Sequence, residues 1–536
     1  MTAAAAAGKG GTDMAVHLFG AIDVGSYEME LIIYEISKKR GIREIDDIIH
    51  RIPLGTDTYN TGKISVKHTS ELRRVLLEFR RIMDNYGVED YRAYGTSAIR
   101  EMQNSALVLN RLETETGIHI EPLGNAEQRF LDFKSIASRS SQFDKLIEEP
   151  TAIVDIGSGS IQISLFDNGK MVTTQNMNLG ILRLHEQVGR IRASAARFEG
   201  LVEELVLSRL MVFKHLYLEE RRIRSLILVD DYISEAAQKV NVREFFRGAG
   251  NTEEVLPAGD GFLSRERYEA FYDRIKTISY SQVARGLEIP EENVPLLFIS
   301  GIILRQILRI TGADLLWLPG VCLCDGIIYD YAEKKKYFVS SHDFEKDIIS
   351  SAHEISRRYN GSQERSKTLE KIALKIFDST SRIHGMGSRE RLLLQIAAIL
   401  HDCGKFISMN DLSECAYHII MATEIIGLSG GEREIVANVV RFNHSRFVYY
   451  EEQTAIDRER YSVIARLTAI LRAANGLDRS HKHKFSDFKI RMKGDQLTIT
   501  VDVHKDITLE KGLFDKKADF FEEIFNIRPV IKQKKL

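Results

Sequence analysis

The sequence predicts an α/β fold with two related halves, followed by a helical domain and a small α+β segment. One observation is a strand–loop–strand pattern that occurs twice, at residues 21–34 and 151–166. The other is the helical spacing of apolar residues through most of the last third of the chain. A chain of 536 residues also exceeds what one hydrophobic core supports, so several domains are expected.

Each copy of the repeat contains a short loop rich in glycine and serine. TAIVDIGSGSIQISLF aligns without a gap to AIDVGSYEMELIIY, so that Asp155 matches Asp23 and Gly157 matches Gly25. Glycine lets backbone N–H groups approach an anion, and an aspartate at a strand end can hold a hard cation beside it. A single such loop could be an ordinary edge hairpin, but two in register predict a cleft between two halves.

The composition is that of a soluble globular protein, with 44% apolar residues and a net charge of -2 that argues against a general nucleic-acid binder. Four scattered cysteines fit a reducing compartment, and Cys322 and Cys324 lie in an apolar run that favours burial over a metal or redox role. Residues 1–17 predict a disordered tail, and no uninterrupted apolar run approaches the roughly 20 residues of a membrane span. We therefore expect a cytoplasmic protein that binds neither nucleic acid nor membrane.

Two segments between the loops carry candidate site residues. A short strand leads into GTSAIR, where the helix start at Thr96 and the guanidinium of Arg100 could bind an oxyanion. Read alone, a capped helix with a surface arginine explains the same residues. Glu127 follows at the start of the next helix, where an acid is favourable even without a function.

Six motifs in order resemble the Ppx/GppA phosphatase family, the exopolyphosphatases and guanosine pentaphosphate phosphohydrolases of the actin-like ATPase superfamily. They are AIDVGS, GTSAIRxxxN, GNAEQR, VDIGSGS, LGILRL and ISGIIL, and they span about the first 330 residues. The resemblance implies two actin-like (ribonuclease-H-like) domains of the ASKHA superfamily, over residues 18–140 and 141–331. It also implies a homodimer.

The resemblance further implies a site that hydrolyses the terminal phosphoanhydride of a phosphate chain. Glu127 looks like the catalytic acid that serves as general base for water, facing Asp155 across the cleft, and Asp23 and Asp155 look like Mg²⁺ ligands. The phosphate-binding residues implied by the resemblance are Gly25, Ser26, Thr96, Arg100, Gly157, Ser158, Gly159 and Ser160. Phosphoanhydride hydrolysis independently requires residues of these kinds, because a dense anion repels the attacking water until a cation and N–H donors neutralise its charge.

The chain departs from the family pattern around both loops. Tyr27, Glu28 and Glu30 stand where the family has Asn, Ser and a basic residue, which makes the first loop acidic. Gln162 replaces an acid after the second loop, and Cys324 replaces an arginine. These departures favour inorganic polyphosphate over nucleotide substrates and leave room for a different phosphate ester or for weakened catalysis.

A further departure lies at residues 225–236, SLILVDDYISEA, where a Gly-Gly-Thr type of loop is expected. Asp230 and Asp231 in this segment would repel phosphate unless a cation intervenes.

The charged stretch 332–346 predicts a domain boundary, and the helical region 346–480 resembles an HD domain. His401 and Asp402 match the HD pair, and Asp478 matches the distal aspartate. The places where further metal-binding histidines are expected hold Arg365, Glu414 and Asn443. We therefore expect a degenerate HD site without a second catalytic centre.

The last segment, 481–536, predicts a small α+β domain with a hairpin that turns at Lys493-Gly494-Asp495. From Arg479 to Leu536 there are 14 Lys/Arg against 9 Asp/Glu. Such a basic end could guide a polyanion by electrostatic steering, or it could be a solvated surface.

The predicted function is a magnesium-dependent exopolyphosphatase that releases orthophosphate from the end of inorganic polyphosphate. Guanosine pentaphosphate hydrolysis is an alternative within the same family. A different class of function is a weakly catalytic or non-catalytic regulatory protein that binds polyphosphate or (p)ppGpp. An ATP-dependent sugar kinase fits the loops but lacks a recognisable adenosine-binding glycine pair.

Overall fold

The computed structural model describes residues 16–191, 195–218, 221–229, 261–452, 456–482, 484–485, 487–494, 496–501 and 506–533. Contacts divide the chain into two compact units, Met1–Asp343 and Phe344–Leu536. Asp230 and Asp231 lie outside the described residues.

The first unit contains two mixed sheets. The first sheet has the order β3-β2-β1-β4-β5, in which β1, β4 and β5 are parallel and β2 is antiparallel to both of its neighbours. Its strands are β1 (His17–Val24), β2 (Glu28–Ser37), β3 (Gly41–Arg51), β4 (Asp90–Gly95) and β5 (Ile120–Pro122).

The second sheet repeats this topology and adds one edge strand. Its order is β10-β11-β9-β6-β7-β8, so that β8-β7-β6-β9-β11 corresponds to β3-β2-β1-β4-β5. Asp23 lies opposite Glu30 in the first hairpin as Asp155 lies opposite Gln162 in the second, which confirms the predicted duplication. Its strands are β6 (Thr151–Ile156), β7 (Ile161–Asp167), β8 (Lys170–Met177), β9 (Ser225–Val229), β10 (Phe262–Ser264) and β11 (Leu315–Trp317).

Helices cover both sheets of the first unit. They are α1 (Leu54–Thr61), α2 (Val66–Tyr86), α3 (Ser97–Glu101), α4 (Ser105–Thr116), α5 (Asn125–Ala137), α6 (Ser140–Ile147), α7 (Ile181–Arg190), α8 (Ala195–Phe213), α9 (Arg265–Lys276), α10 (Tyr280–Leu287), α11 (Val294–Thr311) and α12 (Leu323–Lys334). The longest, α2, starts at the capping hydroxyl of Ser65 and ends at Gly87, whose φ of 72° suits a residue without a Cβ.

Helix α12 packs on the first sheet, although the sequence placed residues 141–331 together in the second domain. Its apolar face, with Cys324 and Ile327, joins the core cluster that contains Phe19 of β1. Gly326 permits the close approach to α5, because a Cβ there would lie 2.1 Å from the Leu131 carbonyl oxygen. A return of the chain over so many residues has no local signal in the sequence.

Helix α11 is the centre of the second half. Together with the short turn before it, Glu291–Thr311 is the one candidate membrane span found among the described residues, by length and composition. In the fold, 83% of its apolar window is buried, as expected for the core helix of a globular protein. Arg305 and Arg309 interrupt its apolar run, which is why the search for an uninterrupted apolar run of membrane-spanning length did not find this helix in the sequence.

The second unit is a helical bundle with a small sheet. Its helices are α13 (Phe344–Arg358), α14 (Gln363–Ser379), α15 (Ser381–His384), α16 (Ser388–Leu400), α17 (Leu412–Ala422), α18 (Gly430–His444), α19 (Arg458–Leu477) and α20 (Thr508–Phe525). The predicted hairpin is present as β12 (Phe488–Lys493) and β13 (Gln496–Val501). A third strand, β14 (Arg528–Gln533), adds parallel to β13 after α20 and was not predicted.

Candidate active site

The two glycine-containing loops line one cavity of about 450 Å³ in the first unit. The first loop contributes Gly25 and Ser26, and the second contributes the stretch from Gly157 to Ser160. Of the predicted site residues, the structure brings these lining residues together: Asp23, Gly25, Ser26, Thr96, Asp155, Gly157, Ser158, Gly159 and Ser160. The cleft expected from the repeat is therefore present.

Both loops are built as the same tight turn. The Gly25 N–H donates to the Glu28 carbonyl at 2.9 Å, and the Gly157 N–H donates to the Ser160 carbonyl at 3.0 Å. A side chain at Gly25 would place its Cβ 2.7 Å from the Glu28 carbonyl oxygen, so the turn requires glycine there. The equal geometry explains why the two motifs align without a gap.

The start of α7 closes the second loop from behind. The N–H groups of Ile181 and Leu182 donate to the carbonyls of Gly157 and Ser158 at 3.1 and 2.9 Å. Gly180 permits this contact, because a Cβ there would lie 2.2 Å from the backbone of Gly159. The LGILRL motif therefore stabilises the second loop through backbone hydrogen bonds.

A network of polar side chains joins the two loops. Arg183 donates from Nε to the Gly159 carbonyl at 2.8 Å and from Nη2 to the Glu101 carboxylate at 2.7 Å. Its guanidinium also lies over the Tyr59 ring, 4.0 Å from the centroid. The Tyr59 hydroxyl contacts Ser26 Oγ at 2.7 Å, so this network runs from one loop to the other.

Glu127 lies at the third position of α5, where its carboxylate accepts a hydrogen bond from the Gly124 N–H at 3.0 Å. The cavity wall on this helix is formed by Gln128 and Asp132 instead. Glu127 thus serves as a helix cap in this conformation, and its role as a general base stays a prediction. Asp132 was missed, although its spacing of four residues from Gln128 places both on one helix face.

Arg100 does not form part of the cavity wall, in contrast to the expectation from the resemblance. Its Nη1 donates to the Leu123 carbonyl at 2.7 Å and approaches Gln128 Oε1 at 3.4 Å. The guanidinium is directed to the turn before α5, where it satisfies a carbonyl that precedes the helix. Arg100 therefore positions the start of the helix that carries Glu127.

The cavity is strongly acidic. Eight carboxylate residues line it, and no lysine, arginine or histidine is among its lining residues in the described part of the chain. They are Asp23, Glu28, Glu30, Glu44, Asp47, Asp132, Asp155 and Asp325. A phosphate chain can enter such a cavity only if cations neutralise part of this charge.

Neighbouring residues affect the charge of two of these carboxylates. Glu28 accepts a hydrogen bond from Arg51 Nε at 2.8 Å, a partner from the facing strand β3 that the sequence did not suggest. Burial, together with the nearby Glu44 and Asp46, raises the pKa of Asp47 to about 6. The cavity therefore gains negative charge as the pH rises through 6.

In the second unit, an arginine lies where the degenerate HD site was predicted. Arg365 Nη1 lies 3.8 Å from Asp402 Oδ2, and Nη2 donates to Asn475 Oδ1 at 3.1 Å. Asp402 and Asp478 both act electrostatically on this guanidinium. Burial lowers the pKa of His401 well below its usual value, so its imidazole is neutral, and Nδ1 lies 2.8 Å from the Ala398 carbonyl.

A basic pocket of about 430 Å³ lies beside this arginine. Its positively charged lining residues are Arg365, Lys405, Arg479, Lys516 and Lys517, and none of its described lining residues is acidic. Burial, with Arg472 and Arg479, lowers the pKa of Lys517 to about 8. The pocket has the composition of an anion-binding site.

The two sheets share one strand order, and each has a glycine loop at the end of its first strand. Together with the cavity that both loops line, this arrangement defines an actin-like α/β protein. The chain belongs to the Ppx/GppA phosphatase family. The sequence model of this family matches residues 32–335, and the model of Ppx/GppA phosphatase domain III matches residues 349–518.

Named relatives cover the chain to different extents. A guanosine-5'-triphosphate,3'-diphosphate pyrophosphatase of Photobacterium profundum is 19% identical over 84% of this chain and 85% of its own length. Exopolyphosphatase 1 of Mycobacterium bovis is 27% identical over 27% of this chain and 41% of its own length. A bifunctional 3-dehydroquinate synthase/phosphatase of Fusobacterium nucleatum is 24% identical over 32% of this chain and only 26% of its own length.

The fold agrees with that of a solved structure. The crystal structure of an exopolyphosphatase from Cytophaga hutchinsonii matches with a TM-score of 0.50 and 18% identity, covering 59% of this chain and 98% of that one. The predicted actin-like fold class is thereby confirmed.

Proposed function

We propose that this protein hydrolyses the terminal phosphoanhydride of inorganic polyphosphate and releases orthophosphate. The observation that carries the proposal is the single cavity shared by the two glycine loops, with Asp23 and Asp155 at the strand ends beside them. Named exopolyphosphatase relatives support the substrate class.

Mg²⁺ is the cofactor that the residues of the cleft fit best. Asp23 and Asp155 offer carboxylate oxygens, the ligands that Mg²⁺ prefers, and the acidic wall gives a polyanion no other source of positive charge in the described lining. When bound, the cation would screen the negative charge of the phosphate chain. The hydroxyls of Ser26 and Ser158, with loop N–H groups other than those of Gly25 and Gly157, would orient the terminal phosphate.

Glu127 is the proposed general base. It lies one residue before Gln128, which lines the cavity, and the proposed role requires a change of side-chain rotamer that carries its carboxylate from the Gly124 N–H to a water at the phosphate. Leaving the Gly124 N–H would cost about 0.5–2 kcal/mol, the usual value of a helix cap, which binding can offset. Arg100, bound to the Leu123 carbonyl, keeps the helix start in place meanwhile.

The test is phosphate release from long-chain polyphosphate with Mg²⁺ by three variants. Glu127→Gln should lower kcat by about 10²- to 10⁴-fold and leave KM nearly unchanged, since its amide oxygen can still cap Gly124. Glu121→Gln, an exposed carboxylate nearby, is the matched control. If Glu127→Gln keeps full activity while Asp132→Asn loses it, the base is Asp132 instead.

A second candidate function is the binding of polyphosphate or (p)ppGpp without efficient turnover. The basic pocket of the second unit favours it, because this pocket attracts anions whereas the cleft repels them. The pyrophosphatase named among the relatives makes a guanosine phosphate the competing ligand. Tight binding of either compound with no phosphate release under saturating Mg²⁺ would support this function over the first.

A further inference from the structure

We propose that Glu30, Cys322 and Cys324 form a binding site for a thiophilic divalent cation of the zinc class on the wall of the cleft. One ligand atom from each residue, the carboxylate oxygen and the two Sγ atoms, can be chosen so that all three lie within 4.8 Å of one another. Tetrahedral zinc, with Zn–S near 2.3 Å, places its ligand atoms about 3.5–4 Å apart. Small side-chain adjustments therefore complete three of four ligand positions.

The fold brings these residues together from opposite ends of the first unit. Glu30 lies on β2 directly opposite Asp23, and both cysteines lie at the start of α12. The Cys322 N–H donates to Asp325 Oδ2 at 3.1 Å in a capping interaction, which fixes the helix start. Cys324 is buried, with its Sγ 3.6 Å from the Ala21 carbonyl oxygen.

The donor set separates this site from the proposed Mg²⁺ site. Two thiolates and one carboxylate suit zinc, cobalt or cadmium, whereas Mg²⁺ avoids sulfur and prefers all-oxygen surroundings. Binding of one divalent cation would displace the two thiol protons, which pass to solvent, and no electron transfer is involved. The bound unit carries a charge of -1, against -1 for the Glu30 carboxylate alone with two neutral thiols.

Because the site lies on the wall of the cleft, a cation bound there would contribute to phosphate binding. This step rests on the proposed function. Glu30 and Cys322 line the cavity, so the fourth coordination position opens toward it. A phosphate oxygen could occupy that position and coordinate the cation directly. The cation binding itself does not depend on any hydrolytic activity.

The first experiment measures cation binding to the full-length, reduced and chelator-treated protein. One equivalent of Co²⁺ should produce the near-ultraviolet thiolate-to-cobalt charge-transfer band, and Zn²⁺ should abolish it by displacement. Zn²⁺ should also protect Cys322 from alkylation, as read by mass spectrometry of the peptide. Cys322→Ser should lose the band, Glu30→Gln should weaken Co²⁺ binding about tenfold, and Cys415→Ser, a partly exposed cysteine of the second unit, should change nothing.

A variant that folds poorly does not prevent the test, because the cobalt charge-transfer band and the protection of Cys322 from alkylation are both measured on the unaltered protein. Absence of both in that protein overturns the proposal, and so does an unchanged band in folded Cys322→Ser. A Cys322–Cys324 disulfide that forms in air, combined with no cation binding after reduction, also overturns it.

The second experiment asks whether the cation acts on phosphate. With Mg²⁺ present, stoichiometric Zn²⁺ should lower the KM for polyphosphate several-fold in the unaltered protein and not in Cys322→Ser. If Co²⁺ and Zn²⁺ bind but KM does not respond, the metal site stands and its role in phosphate binding is wrong. If no phosphate is released under any condition while the band persists, the proposed hydrolysis fails and the metal site is unaffected.

Discussion

The guanidinium of Arg183 donates two hydrogen bonds to Glu101, one to each carboxylate oxygen and both at 2.7 Å. Glu101 ends the short helix α3 beside the first loop, whereas Arg183 lies on α7, which holds the second loop. Because Arg183 also donates to the Gly159 carbonyl, the pair links the two halves at the cavity. The Arg183 side chain is only 12% exposed, so the interaction is weakly screened by solvent.

We expect Arg183→Met to lower kcat/KM for polyphosphate by at least tenfold. Loss of the guanidinium leaves the Glu101 carboxylate and the Gly159 carbonyl without this donor, so the two loops are held less closely and the cavity opens. Steady-state phosphate release measures the effect. Arg222→Met removes a similar ion pair, with Asp314, that is largely exposed and distant from the cavity, and it should leave kcat/KM unchanged.

A second outcome of the same change concerns stability. Arg183→Met should lower the free energy of unfolding by about 1–3 kcal/mol, the usual range for a charge-assisted hydrogen bond, and Arg222→Met by less than about 1 kcal/mol. If Arg183→Met and Arg222→Met have equal effects on kcat/KM, the Arg183–Glu101 ion pair does not hold the two loops together.

The pH dependence of substrate binding should report Asp47. Its raised pKa, about 6, means that the cleft gains a negative charge as pH rises from 5 to 7, so KM for polyphosphate at fixed Mg²⁺ should rise over this range. Asp47→Asn should flatten the profile. Asp84→Asn, which removes an exposed carboxylate paired with Arg80, should preserve it.

The same pKa shift fixes the sign of a stability effect. The folded protein holds the Asp47 proton more tightly than the unfolded chain, so the Asp47 contribution to the free energy of unfolding falls as pH rises from about 4 to about 6. Asp47→Asn should remove this decline. A decline that is unchanged in the variant would assign it to other carboxyl groups.

The sequence predicted the parts of the site that depend on local pattern. The two loops follow from gap-free alignment, because each turn is built by residues within four positions, as at Gly25 and Glu28. What it could not predict depends on distant partners or on rotamers. The Arg51 partner of Glu28 requires the β2–β3 register, and the Glu127 cap is one of several rotamers open to a glutamate.

The return of α12 to the first sheet shows the same limit for the fold. Cys324 was expected to be buried, and it is, but its neighbours Glu30 and Ala21 lie about 300 residues earlier in the chain. No local periodicity reports which sheet a helix covers. Only the assembled fold places the two cysteines beside the first loop.

Removal of Mg²⁺ should abolish phosphate release, and Asp155→Asn should raise the Mg²⁺ concentration for half-maximal activity at least tenfold. The amide keeps the size of the side chain but loses the charge that a hard cation requires. Asp167→Asn, at the far end of the second hairpin, is the control and should leave the Mg²⁺ dependence unchanged. Full activity in chelator would contradict the role assigned to the cation.

Anion binding to the basic pocket should weaken as pH rises from 7 to 9. Lys517, with a pKa lowered to about 8, loses its charge in this range, whereas an ordinary lysine stays protonated. Calorimetric titration with tripolyphosphate in chelator should show this loss of affinity, and Lys517→Met should reduce its pH dependence, the remainder belonging to Lys405, whose pKa burial also lowers. Lys511→Met changes an exposed lysine on the same helix and should not alter it. An affinity that is constant from pH 7 to 9 would contradict the assignment to Lys517.

Arg365 should be essential to the second unit because it compensates buried carboxylates. Asp402 and Asp478 are 6% and 2% exposed, so Arg365→Met removes a buried positive charge that compensates them and should cost about 3–5 kcal/mol of stability in thermal or denaturant unfolding. Arg389→Met, which breaks a more exposed pair with Glu432, should cost less than about 1 kcal/mol.

A histidine at position 365 separates charge compensation from simple packing. Arg365→His would place an imidazole beside His401, Asp402 and Asp478, and imidazole and carboxylate groups are ligands that Mn²⁺ and Zn²⁺ accept. We expect these cations to raise the Tm of Arg365→His and to leave that of Arg365→Met unchanged, because only the former can bind a metal between the carboxylates. If added cations stabilise both variants equally, a histidine side chain at this position adds no ligand to a metal between the two carboxylates.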